Sequence, residues 1–301
     1  MPSTKLPVIL AAIIVIYIRS NGAVSANTNK MESTDANSNM SKLSNAIEVE
    51  KRMPGNMYQI SGGRLLEIKE VPYQIALFRN NFFICGGSIL SQDWIVTAAH
   101  CVYGGGHFGI RVGSANSGKG GQIRFINTVV INGGFTSLNL QNDIAMLRVD
   151  KPFIWSSSVL PIRLAANNTS IPEKLFVSGW ASVGENSKPE LHLRGATLEV
   201  VSNKECRSAY KKKYSITEDL ICTVATGRDA CQGDYGGPLA HKGVLYGIIS
   251  FGVGCESFHV PTVYTSVHRQ YRWIMNVARR YGGQEPMLAQ HLLRGPTNEK
   301  P

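Results

Sequence analysis

Short apolar segments separated by glycine-rich turns run through the chain from Ile60 onward, and they constrain its fold more than any other feature. Examples are Tyr73 to Phe78, Ile123 to Ile131 and Leu245 to Phe251. Glycine runs such as Gly104-Gly105-Gly106 lie between these segments. Strand-length segments bounded by turn residues are typical of an all-β barrel or sandwich.

One helical pattern follows these segments near the end of the chain. Tyr271, Ile274, Met275 and Ala278 are spaced i, i+3, i+4 and i+7, which forms one apolar face of a helix. The sequence therefore predicts an all-β protein that ends in a helix. At 301 residues and 43% hydrophobic composition, the chain can build a large core.

Residues 1–26 have the pattern of a secretory signal. Lys5 supplies a positive start, Leu6 to Ile18 is a short apolar run, and Val24-Ser25-Ala26 offers small residues for cleavage. The apolar run is shorter than the roughly 20 residues that a membrane-spanning helix needs. We therefore expect a secreted, extracellular protein without a membrane span, the alternative being a membrane anchor.

The remaining segments differ in composition. Residues 27–59 are polar, with no aromatic residue before Tyr58, so we expect a flexible pro-segment that cannot bury a core. Residues 60–283 are expected to form the folded domain, and residues 284–301 a loose C-terminal tail. Asn39, Asn167 and Asn168 each begin a glycosylation sequon, and the overlapping pair is expected to accept a single glycan.

The chain is basic, and this bears on its partners. The formal net charge is +10, and removing Lys5 and Arg19 with the signal leaves +8. Such a surface favours acidic partners, including acidic glycans such as glycosaminoglycans. The densest run, Lys211-Lys212-Lys213, can also be read as a solvated loop. Nothing in the sequence resembles a nucleic-acid-binding module, so we expect no nucleic acid as a partner.

Six cysteines in a secreted chain indicate disulfides. They are Cys85, Cys101, Cys206, Cys222, Cys231 and Cys255. Six cysteines allow fifteen connectivities, and spacing alone does not choose among them. Because the number is even, we expect a monomer and not a disulfide-linked oligomer. We expect no cofactor and no metal.

Three motifs concern chemistry, and they follow one another along the chain. The first is Thr97-Ala98-Ala99-His100-Cys101, and the second is Asn142-Asp143-Ile144-Ala145-Met146-Leu147. The third is Gly233-Asp234-Tyr235-Gly236-Gly237-Pro238. They resemble the histidine, aspartate and nucleophile motifs of the chymotrypsin and trypsin-like serine proteases, in the His–Asp–Ser order of that family. The resemblance covers Ile60 to Tyr281.

This resemblance implies a two-barrel chymotrypsin-like fold with a C-terminal helix. His100, Asp143 and Tyr235 would occupy the triad positions, with Ser250 holding the aspartate. Gly233 and the backbone of Tyr235 would supply the oxyanion hole. The family pattern also implies a pairing of the six cysteines: Cys85–Cys101, Cys206–Cys222 and Cys231–Cys255.

Tyr235 stands where the family has its nucleophilic serine. A phenol oxygen lies several ångströms farther from the backbone than a serine oxygen, so it would overshoot the imidazole and the scissile carbonyl. Loss of the nucleophile in this mechanism costs on the order of 10⁶ in turnover. We therefore expect an inactive homologue in which His100 and Asp143 persist without function.

The resemblance implies a degenerate specificity pocket as well. Asp229 would be the acidic floor that selects Arg or Lys in trypsin-like enzymes, and Gly252 would keep one wall open. Thr262 stands where such enzymes usually carry a second glycine, and its branched side chain would narrow the pocket. Phe251 replaces the usual tryptophan.

The activation junction also departs from the family. Zymogens of this family are commonly cut before an Ile-Val-Gly-Gly segment, often after Arg, and the new amino group pairs with the aspartate before the nucleophile. Here Gln59 precedes Ile60, and trypsin-like enzymes do not cut after Gln. The dibasic Lys51-Arg52 lies seven residues too early, so Asp234 would lack its partner.

The sequence thus predicts a secreted, non-catalytic serine protease homologue of insect type that acts by binding proteins. It would be an adaptor, cofactor or decoy for extracellular proteins, such as proteases or their substrates. Relatives of this type act in immune cascades and in seminal fluid, and the short pro-segment favours a reproductive role. The alternatives are an active or weakly active trypsin-like endopeptidase, and a glycosaminoglycan-binding protein.

Overall fold

The computed structural model describes residues 63–166, 169–180, 191–210, 214–225, 235–252 and 260–289. Within these residues the chain forms fourteen strands and three α-helices. The strands are β1 (Arg64–Leu65), β2 (Gln74–Arg79), β3 (Phe82–Ile89), β4 (Trp94–Thr97), β5 (Phe108–Val112), β6 (Gln122–Ile131), β7 (Ala145–Val149), β8 (Arg163–Leu164), β9 (Lys174–Gly179), β10 (Arg194–Val201), β11 (Leu220–Ala225), β12 (Pro238–His241), β13 (Val244–Phe251) and β14 (Thr262–Ser266). The helices are α1 (Ala99–Val102), α2 (Asn203–Tyr210) and α3 (Val267–Tyr281).

The first half of the described chain forms a closed barrel in the order β2-β3-β4-β7-β6-β5. Closure comes from β2, which pairs antiparallel with both β3 and β5. Alternating residues of β5 are buried, as the period of a strand with one face on a core requires. Trp94, Ile75 and Leu77 are among the large side chains that fill the interior.

The second half forms another barrel from β9, β10, β11, β14, β13 and β12. Pairing of β10 with β9 closes it, and β1 adds to the edge of β10. Leu175, Val177, Leu239 and Tyr264 lie in its core. Two six-stranded barrels with a terminal helix confirm the predicted all-β, two-barrel fold.

Helix α3 contains the predicted apolar face and extends beyond it. Ile274, Met275 and Ala278 are buried, while Tyr271 packs half-buried against the same core. The helix ends where Gly282 adopts a φ of 74°, a conformation that glycine adopts without steric cost. Among the described residues, no helix is both long and apolar enough to cross a membrane.

Two of the implied disulfides are present in the described residues. Cys85 is bonded to Cys101, and Cys206 to Cys222. Each closes a loop of 16 residues, which contributes about 3 kcal/mol in the chain-entropy model. Cys231 and Cys255 lie outside the described residues, so their pairing stays a prediction.

The first part of the expected loose tail is docked on the body instead. The Leu164 N–H donates to the Met287 carbonyl at 2.8 Å, and the Ala289 N–H donates back to the Leu164 carbonyl at 3.0 Å. The Gln284 N–H donates to the Asp93 carboxylate at 2.8 Å, and Ala289 is buried. This docking could not be predicted from the sequence, because it depends on backbone pairing with Leu164, which is far away in the chain. Residues 290–301 lie outside the described part of the chain.

Truncation tests this docking. Ending the chain after Gly283 should lower the free energy of unfolding by about 1–3 kcal/mol, because these hydrogen bonds and the burial of Ala289 are lost. Ending it after residue 290 should change the stability by less than about 0.5 kcal/mol. Urea unfolding of the two truncated proteins measures both values. Equal stability of the two would show that residues 284–289 contribute nothing.

Candidate active site

His100 lies in the single helical turn α1, immediately after β4 enters the core. The three residues before His100, Thr97, Ala98 and Ala99, are fully buried. The Cys101 disulfide fixes the turn to β3. The His100 side chain remains 21% exposed. The turn therefore presents one imidazole at the surface of the first barrel on a rigid base.

Asp143 precedes β7 and is completely buried, with no exposed area. Its Oδ1 accepts the backbone N–H of His100 at 2.9 Å, and its Oδ2 lies 2.7 Å from His100 Nδ1. The Ser250 hydroxyl donates to the same Oδ2 at 2.6 Å. The Thr265 hydroxyl donates to the Asp143 backbone carbonyl at 2.9 Å.

These bonds join the two barrels. His100 and Asp143 belong to the first barrel, whereas Ser250 on β13 and Thr265 on β14 belong to the second. The structure therefore brings the predicted histidine, aspartate and supporting serine together in the cleft between the barrels. Thr265 was missed in the sequence because nothing in its local pattern marks it for this contact.

The backbone at Tyr235 is also held by both barrels. The Tyr235 carbonyl accepts the Gly86 N–H of β3 at 2.8 Å. The next residue, Gly236, donates its N–H to the Ile249 carbonyl of β13 at 2.8 Å. The predicted nucleophile position thus lies at the same interface as His100 and Asp143.

Gly236 is required by the close approach of this segment to the first barrel. Its φ is 77°, and an added Cβ would lie 2.7 Å from the Gly86 carbonyl oxygen and far too close to Thr97 Oγ1. Any L side chain would therefore clash and be strained. This glycine keeps residue 235 close to the imidazole.

The Tyr235 ring meets the His100 ring edge-on, with centroids 5.1 Å apart and an interplanar angle of 83°. The half-buried ring packs against the apolar cores of both barrels. Burial raises the pKa of the Tyr210 hydroxyl, and the Tyr235 phenol is among the neighbours that raise it further. The Tyr235 ring therefore contacts the imidazole and the apolar residues of both barrels.

Aromatic side chains of the second barrel form a cluster next to Gly252. The Tyr214 and Phe251 ring centroids lie 4.7 Å apart with the planes tilted by 32°, and Tyr210 meets Phe251 edge-on at 5.7 Å. The Tyr210 hydroxyl donates to the Pro261 carbonyl at 2.6 Å. The sequence analysis singled out Phe251 but missed Tyr210 and Tyr214, since only the fold brings α2 and its following loop to β13.

Of the specificity-pocket residues, the structure places Gly252 and Thr262. Gly252 follows β13, and Thr262 begins β14 with 1% exposure, opposite Thr223 of β11. Several predicted site residues lie outside the described residues: Asp229, Gly233, Asn39, Asn167 and Asn168. The depth of the pocket, the oxyanion hole and the glycans stay predictions.

One grouping of metal-binding residue types occurs in the described part of the chain. The ligand atoms of Cys85, His100 and Cys101 lie within 4.8 Å of one another. Both sulfur atoms are shared in the Cys85–Cys101 disulfide, whereas metal binding by cysteine uses the thiolate. The three residues are therefore close together because the disulfide lies beside His100, and the grouping does not indicate a metal site.

Comparison with known proteins agrees with this architecture. The family model described as Trypsin matches residues 60–274. Trypsin alpha of Drosophila erecta is 37% identical over 225 residues, covering 73% of this chain and 88% of that protein. Vitellin-degrading protease of Bombyx mori is 35% identical over 222 residues, covering 72% and 84%. The solved structure of neuropsin, a serine protease expressed in the limbic system of mouse brain, aligns with a TM-score of 0.66 at 30% identity. It covers 72% of this chain and 99% of the neuropsin chain.

The bond from Ser250 to Asp143 gives a stability prediction. Replacing Ser250→Ala should lower the free energy of unfolding by about 1.5–3 kcal/mol, because a buried carboxylate loses a donor. Ser208→Ala is the matched control: its hydroxyl bonds the Lys204 carbonyl on the exposed side of α2, and we expect a change below about 0.5 kcal/mol. Guanidinium unfolding measures both, and equal effects would argue against a structural role for the Ser250 bond.

Proposed function

The chain belongs to the trypsin family, and we propose on that premise that it is a non-catalytic member that acts by binding other extracellular proteins. One observation carries the proposal: the ring of Tyr235, which stands where the sequence motif of the family has its serine, lies against the His100 imidazole with centroids 5.1 Å apart. The relatives are named as trypsins, so an active endopeptidase is the rival proposal.

The chemistry of the family mechanism supports loss of activity. A serine hydroxyl attacks the substrate carbonyl while the histidine removes its proton. The following residues, Gly236 and Gly237, offer no replacement hydroxyl. The Tyr235 ring fills the space beside the imidazole, where nucleophile and carbonyl would meet. A triad without its nucleophile retains only weak residual catalysis.

The retained pair of His100 and Asp143 is compatible with this proposal. The Asp143 carboxylate is fully buried and accepts bonds from both barrels. Removing one partner of such a buried group leaves an unsatisfied polar atom and destabilises the fold. The pair can therefore persist for stability after catalysis is lost.

Two further departures support a binding role. Thr262 adds a branched side chain to the wall that would open toward an Arg or Lys substrate, which narrows the proposed pocket above Asp229. Gln59 precedes Ile60 in place of a cleavable Arg, so no new amino terminus would reach Asp234. Each departure alone weakens an enzyme of this family, and the two act at different steps.

The biological setting that we propose is an extracellular proteolytic network. Residues 1–26 form a secretory signal in this proposal, and residues 27–59 a pro-segment that is processed at Lys51-Arg52. The product would serve as an adaptor, cofactor or decoy for proteases or their substrates, in immunity or reproduction. The surface of its trypsin-family domain would bind these proteins.

Reversion of the three departures tests the proposal. We expect the wild-type protein to cleave none of the Arg, Lys and Phe amide substrates. The Tyr235→Ser variant alone should recover little activity. Combining Tyr235→Ser with Thr262→Gly and Gln59→Arg, followed by treatment with immobilised trypsin, should give clear Arg-directed cleavage. The gain of the combination should exceed the product of the single gains, because each change removes a separate block.

The controls separate folding from chemistry. Every variant is compared by its urea midpoint, and the triple variant with His100→Ala added should lose the recovered activity. Wild-type turnover within about 10³-fold of trypsin would contradict the proposal. A trypsin-like rate from Tyr235→Ser alone, without activation, would show that Thr262 and Gln59 are harmless.

A further inference from the structure

A surface cavity of about 470 Å³ lies on the second barrel, away from His100. It is lined by the last residues of β10, the first residues of β11, the first half of α2 and the first turn of α3. The rim carries Asn203, Lys204, Arg207, His268 and Arg269. This size is within the range of pockets that bind small ligands.

The rim is cationic. Lys204 and Arg269 are exposed, and neither forms an ion pair with another described residue. Arg207 lies 3.4 Å from Glu218 and donates through Nε to the Ile216 carbonyl at 2.8 Å. Glu218 is the one acidic residue among the described residues that line the cavity. Among the described lining residues, three carry a permanent positive charge and one a negative charge. Two further carboxylates lie close to the rim, Glu205 near Lys204 and Asp219 near His268.

The positive charge of Arg269 does not stabilise helix α3, which carries the rim residues His268 and Arg269. The first turn of α3 contains no acidic residue, and basic groups there oppose the helix dipole. Burial lowers the pKa of His268, as does Arg269, while Asp219 opposes the shift. The His268 ring lies beside the Arg269 charge, and its Nδ1 is 2.7 Å from the Ser266 hydroxyl oxygen.

We propose that this cavity binds a sulfate group of an acidic glycosaminoglycan chain. Lysine and arginine form their strongest hydrogen bonds with anionic oxygens, and Arg269, Lys204 and Arg207 approach the cavity from two helices. The described lining includes no Phe, Tyr or Trp side chain, so it lacks the large stacking rings on which single-stranded nucleic acids rely. The site is independent of the catalytic question, and it would operate in an active or an inactive protease alike.

Charge reversal tests the site in the full secreted protein. Lys204→Glu combined with Arg269→Glu should weaken the Kd for a heparin octasaccharide at least about tenfold. It should also lower the slope of log Kd against log salt by about two, as expected when two cations no longer displace counterions from a polyanion. Isothermal titration at three salt concentrations gives both quantities.

The matched control is a second double variant on the first barrel, which changes the net charge of the protein by the same amount as the cavity variant. Lys119 and Lys151 are exposed and form no ion pair with a described residue, so Lys119→Glu with Lys151→Glu should change the Kd by less than about threefold. This loss reflects only the long-range field, which salt screens. An equal loss in both double variants would overturn the proposal, because binding would then depend on total charge.

Two ligand arms identify the chemistry. Fully desulfated heparin should bind at least about tenfold more weakly than heparin, since it lacks the proposed contact group. Single-stranded DNA of matched charge should bind more weakly than heparin, and its affinity should change little in the Lys204 and Arg269 variant. Equal binding of desulfated heparin, or DNA binding that depends on the same two residues, would overturn the assignment to sulfate groups of a glycan. If the charge-reversed protein does not fold, Lys204→Ala with Arg269→Ala provides the same comparison.

Discussion

The buried carboxylate of Asp143 links the two barrels through hydrogen bonds. It receives the backbone N–H and lies beside the Nδ1 of His100 in the first barrel, and it receives the Ser250 hydroxyl from the second. Each partner satisfies a lone pair that would otherwise be buried and unpaired, which is costly in a protein interior. These polar contacts join the barrels, and they can all form only when the two barrels have one particular relative orientation. The same orientation puts residue 235 beside the imidazole.

Catalysis and stability need different things from the residues of this site. Stability needs the His100, Asp143 and Ser250 contacts and the glycine at 236, because a side chain there would collide with Gly86 and Thr97. Catalysis needs in addition a small hydroxyl at 235, and this is the position where the chain has a large ring. The ring packs on apolar residues of both barrels. A large ring at position 235 is thus compatible with an intact fold, and the proposed binding function needs only that fold.

Sequence reasoning predicted the parts that depend on local pattern or on motif order. The short apolar runs predicted the strands, the spacing from Tyr271 to Ala278 predicted α3, and the three motifs predicted where His100, Asp143 and Tyr235 meet. It missed features that arise only when distant segments fold together. Ala289 docks through backbone pairing with Leu164, and the aromatic cluster beside Gly252 joins residues from α2, its following loop and β13. The cationic cavity belongs to this second group, since its rim residues come from two helices far apart in sequence.

We propose that Tyr235 cannot act as the nucleophile of this site, and covalent labelling of the purified protein is the direct test. A fluorophosphonate probe reacts with the activated nucleophile of serine hydrolases, so intact-mass spectrometry reports whether one is present. After cleavage at Lys51-Arg52, the wild-type protein should show no mass increase under conditions that label trypsin completely. A stoichiometric adduct that peptide mapping places on Tyr235 would contradict the account.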